Sequence, residues 1–118
     1  RCWANGAEGL MHISERLVEQ AFERLRSTDH ALARAGYEMA EKQLKVTLAR
    51  AEMQANGKTV GERQATALTS PEYESALTEW RSLAENYYRE RDKREAAVAV
   101  IDAWRTQQSD MRAMGRVG

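Results

Sequence analysis

The stretch "VEQAFERLRSTDHALARAGYEMAEKQLKVTLARAEM", Val18 to Met53, decides the fold. Val18, Leu25, Leu32, Met39, Val46 and Met53 recur every seven residues, and Ala21, Thr28, Ala35, Lys42 and Ala49 follow three places behind. That is the a/d spacing of a helical seam, with large a residues and mostly small d residues. Thr28-Asp29 could cap a second helix, but the register runs through it unchanged. One helix from about 14 to 55 is therefore expected, stopped by Asn56-Gly57.

Beyond that stop, Thr59 precedes Glu62 by three residues, the spacing of a capping box, which predicts a short helix over about 60–68. "TSPEY" is a strong helix start. Ser70 can cap, Pro71 suits the first helical position, and Glu72 and Glu74 favour the positive end of the dipole. A second long helix is expected over about 71–114, ended by Gly115. It too repeats at seven, with Tyr73, Trp80, Tyr87, Arg94 and Ile101 in one row, Leu77, Ala84, Arg91 and Val98 in a second, and Ala76, Leu83, Glu90, Ala97, Trp104 and Met111 in a third. A short connection makes two long helices antiparallel neighbours. The expected fold is all-α: a hairpin of two long helices with a short helix between them, forming one domain over 14–118. Folding the chain about its turn would set Trp80 near Val46 and Ala49, and Arg91 and Arg94 near Leu32 and Gly36.

Apolar residues outside this seam need cover. Tyr37, Leu44 and Leu48 form a second stripe on the first helix, and Leu83, Tyr88 and Trp104 flank Trp80 on the second. These seven are expected in a core or a self-association face. A homodimer or homotetramer with a four-helix core is the expected state.

Composition excludes more than it selects. The 118 residues carry 18 Lys and Arg against 18 Asp and Glu, so no chain-wide positive field draws in nucleic acid. The single cysteine, Cys2, cannot form an intrachain disulfide, which fits a reducing cytoplasm. No apolar run approaches the roughly 20 residues of a membrane span, so no membrane is expected. Residues 1–13 read as a flexible segment, with Met11 a plausible start. There is no Cys-x-x-Cys, no phosphate-binding glycine loop and no nucleophile elbow. His12 and His30 are the only histidines and neither sits in a metal-binding pair. No cofactor, metal or catalytic residue is expected, and the protein is read as a non-enzyme.

The charged block "YYRERDKREAA", Tyr87 to Ala97, remains. Opposite charges three and four apart describe a solvated helix face. Arg91 and Arg94 differ, because both continue otherwise apolar rows. Buried there, each would need a carboxylate or carbonyl, with Asp29 and Glu38 as candidate partners, and would fix the register. Arg81, Arg89, Lys93, Arg105 and Arg112 are the candidate contacts for a protein partner or for DNA.

From Thr59 onward, Glu62, Arg63 and Ala65 precede Pro71 and Tyr73, and Arg91, Ile101, Trp104 and Arg105 follow. This half resembles the small helical proteins encoded by phages and other mobile elements. The resemblance implies an accessory role, in some such proteins within DNA recombination or replication. The leading expectation is a non-enzymatic, oligomerising interaction protein of a mobile element that presents a helical surface to a protein partner. The alternative is a DNA-binding accessory.

Overall fold

A computed structural model of the chain describes residues 13–57 and 59–117, the side chains at 116 and 117 excepted. The described residues form helices and connections only: α1 (Glu15–Arg26), α2 (Asp29–Gln54), α3 (Val60–Leu68) and α4 (Pro71–Val117). The all-α expectation holds. Within the span expected as one domain, 14–118, contacts divide into two units. One combines the described residues up to Thr28 with those from Arg91 onward, the other is Asp29–Glu90. The segment 1–13, apart from Ile13, lies outside the described residues, as do Cys2 and His12.

In the first unit α1 starts where the Ser14 hydroxyl accepts the Leu17 N–H at 3.2 Å, with Glu15 at its positive end and Arg24 and Arg26 at its negative end. Val18 and Ala21 are buried. Ala21, Ala97 and Ile101 form the core, with Phe22, Leu25 and Val100 packed around it. Ile13 donates its N–H to Gln107 Oε1 at 2.8 Å, while Arg94 donates to the Leu25 carbonyl at 3.5 Å. Early residues thus meet late ones, so α1 runs antiparallel to this part of α4.

The helix expected over 14–55 is two helices. Ser27 takes φ −66° and ψ 144°, an extended geometry, and its N–H bonds back to the carbonyls of Glu23 and Arg24. Ser, Thr and Asp in succession are weak helix formers, because their side chains offer the backbone local hydrogen bonds that compete with helix. A heptad counted through Ser27 therefore loses its meaning, since phase is defined only within one continuous helix.

The second unit joins α2, α3 and residues 71–90 of α4 as a helical hairpin with a short helix in its turn. Thr59 caps α3, its hydroxyl accepting the Glu62 N–H at 3.1 Å. Ser70 caps α4, accepting the Tyr73 N–H at 3.3 Å while donating to the Ala67 carbonyl at 2.8 Å. Ala67 is buried beneath this corner, as are Ala33, Ala40 and Ala84 between the long helices. Gly36 lies under Leu83, whose Cδ2 would be 3.8 Å from an added Cβ, and Tyr37 reaches Trp80. The pairing is antiparallel as expected but slipped: Trp80 faces Tyr37, not Val46 and Ala49. The turn segment itself takes up chain by packing as α3, which moves the fold-back point. At its far end α4 runs through Gly115 to Val117, because one glycine costs a helix only about 1 kcal/mol and this one has no positive φ.

Candidate interaction surface

The seam assigned to α2 from its heptad is on the outside. Leu32 is 68% exposed, Met39 67%, Val46 49% and Met53 86%. Ala35, Lys42 and Ala49 between them are exposed too. The inward face is a different row, with Ala33 and Ala40 buried and His30, Tyr37, Leu44, Thr47, Leu48 and Ala51 half-buried. This row also has three-and-four spacing. At 100° per residue the two rows are centred roughly 150° apart on the same helix. Aromatic partners explain the choice: Tyr37 stacks on Tyr87 with centroids 5.0 Å apart, and it lies 6.1 Å from Trp80 and 5.9 Å from Tyr88. Each such pair is worth about 0.5–1.5 kcal/mol beyond its buried area. Met39 in that position would forfeit them.

Tyr37, Leu44, Leu48, Trp80 and Leu83, the residues expected in a core or association face, are thus half-buried within this unit. Tyr88 stays 43% exposed at the edge of the cluster. The hydrogen bond to Tyr88, then removal from water, push the Tyr37 phenol up to about 12. Trp80 Nε1 is buried there without a hydrogen-bond acceptor. In the other unit, Trp104 is half-buried with its ring edge-on to Phe22 at 6.4 Å. A groove beside that pair is lined by Ile13, Val18, Phe22, Gln107 and Met111.

The five cationic candidates are spread along α4. Arg81 and Arg89 belong to one unit and Lys93, Arg105 and Arg112 to the other. All five side chains are exposed, and Glu85 lies 3.8 Å from Arg89. Of the two seam arginines, Arg94 is half-buried and takes a carbonyl, that of Leu25. The burial expected for Arg91 is not found. Its side chain is 44% exposed, 3.4 Å from Asp92 and 3.9 Å from Glu95, because its position on α4 turns it to solvent. Glu38, offered as a partner, instead accepts from Arg34 at 2.9 Å. The charged block is largely solvated helix surface, and its pairs contribute little individually.

Among the described residues no three His, Cys, Asp or Glu side chains come together as a cation site would require. None of the described helices is long and apolar enough to cross a membrane. Compared with known proteins, the chain matches no family model, no curated protein and no solved structure. The surface that sequence reasoning misplaced is the exposed α2 row itself. No local signal separates it from the inward row, since both lie on the one helix Asp29–Gln54 with helical spacing.

Proposed function

We propose that the chain is a non-enzymatic helical interaction protein whose contact surface is the outward row of α2. One observation carries this reading: four large apolar side chains, Leu32, Met39, Val46 and Met53, stand exposed at seven-residue spacing on one helix. Scattered apolar residues on a surface are ordinary, but a row in coiled-coil register is suited to another helix laid along it. The mechanism is presentation. The aromatic packing of Tyr37 holds α2 by its inner face and leaves the outer one preorganised, which spares an incoming helix part of the ordering cost. Association in a mobile-element setting rests on the sequence resemblance alone.

The test is capture from extract of the cells that express the protein, using immobilised wild type and L32S/M39S/V46S. A partner retained by wild type and lost from the variant supports the reading. Identical retention by both contradicts it. DNA binding that weakens with salt and is lost on replacing Arg89, Lys93 and Arg105 would favour the DNA accessory instead.

A further inference from the structure

We infer that the occupant of the outward α2 row is the same row of a second copy, laid antiparallel across a twofold axis near Ala40 and Glu41. This rests on the reading of α2 as the contact face and adds the partner's identity and direction. A twofold interface must be complementary to itself. Over 32–49 the row read forwards is Leu32, Ala35, Met39, Lys42, Val46, Ala49, and reversing it sets each large residue of that span against a smaller or flexible one, with Met53 beyond the overlap. Leu32 meets Ala49 of the second copy, Ala35 meets Val46, and Met39 lies along the aliphatic stem of Lys42, whose ammonium reaches water past the edge. Symmetry repeats each contact.

The flanking charges agree. In this arrangement Glu38 of each copy lies beside Lys45 of the other, giving two opposite-charge pairs at the rim. The parallel alternative fails on both counts. In register it stacks Lys42 on Lys42 in the seam and sets Lys45 beside Arg50 at its edge, like charges in each case. Existing bonds do not prevent the antiparallel pairing. Glu38 is tied to Arg34 only in an exposed pair, and Lys45 lies 4.0 Å from Glu41 with its side chain 77% exposed. Such pairs exchange readily. Every residue used belongs to α2, and the exposure of Leu32, Met39 and Val46 leaves the row open to a second helix.

The experiment uses the full chain. Sedimentation equilibrium of wild type is expected to show a reversible rise from the 13.4 kDa monomer to twice that mass with concentration. L32S/M39S should remain monomeric with an unchanged helical circular-dichroism signal, since both side chains are exposed. Replacing Glu38 by Lys should weaken the dimer roughly three- to tenfold, and E38K/K45E should restore it. For direction, single-cysteine chains A35C and V46C in a C2S background are oxidised separately and mixed. Cross-linking is expected mainly in the mixture.

A wild type that stays monomeric at all concentrations overturns the inference. If the partner captured through Leu32, Met39 and Val46 is then another protein, the interaction role survives and only the second copy falls. A dimer insensitive to L32S/M39S overturns the face. Preferential linkage of A35C to itself overturns the antiparallel arrangement.

Discussion

Two glycines in one unit illustrate how local surroundings decide the sign of a substitution. An added Cβ at Gly36 would sit in ordinary contact with Leu83 at 3.8 Å, and α2 would lose a helix-weakening residue. Gly36→Ala is expected to stabilise the protein by about 0.5–1 kcal/mol in urea denaturation. At Gly57 the same Cβ would lie 3.0 Å from Glu62 Cβ and 3.1 Å from the Arg63 backbone nitrogen, at the start of α3 where the Gly57 carbonyl also accepts from Arg63. Gly57→Ala is expected to destabilise by about 1–3 kcal/mol. Tyr37 provides a second residue-scale test. Its phenol keeps its proton to about pH 12 in the fold, against 10.0 for an ordinary tyrosine. The unfolded chain therefore releases this proton first, and stability falls as pH rises from 10 through 12. Phenolate absorbance should show Tyr37 titrating late, and Tyr88→Phe should bring it back towards 10, because the hydrogen bond to Tyr88 is the leading cause.

At the scale of the element, burial separates residues that hydropathy does not. Ile101, 3% exposed in the first unit's core, should cost about 2–5 kcal/mol on truncation to Ala. In dilute, monomeric protein Leu32→Ala should change stability by no more than about 0.5 kcal/mol in the same denaturation series. The starts of α3 and α4 were legible in the sequence, because a cap is chemistry within one turn. Thr59 with Glu62, and Ser70 with Pro71 and Tyr73, need no tertiary knowledge. The break at Ser27 was weighed and set aside, since apolar periodicity outvoted a local signal that was correct. The inward face of α2 was ambiguous for a deeper reason. Both rows on that helix carry helical spacing, and only the neighbours on α4 distinguish them. Tyr37 wins because Trp80, Tyr87 and Tyr88 await it, and that is long-range information.

At the scale of the molecule, the all-α class followed from the seven-residue repeats and the helix starts, whereas the division into two units did not. It depends on where Ser27 interrupts the chain and on which part of α4 each segment meets. The expected seam and the expected association stripe exchanged places: the stripe with Tyr37 packs within the chain, and the heptad row faces water. This exchange makes Met39 the most informative side chain of the protein. The decisive measurement is hydroxyl-radical oxidation of Met39 as protein concentration rises, with exposed Met114 as the internal standard. The account predicts that Met39 reacts like Met114 in dilute solution and becomes protected as the protein associates, while Met114 does not change. Protection of Met39 in the dilute monomer, or full reactivity at every concentration, would contradict it.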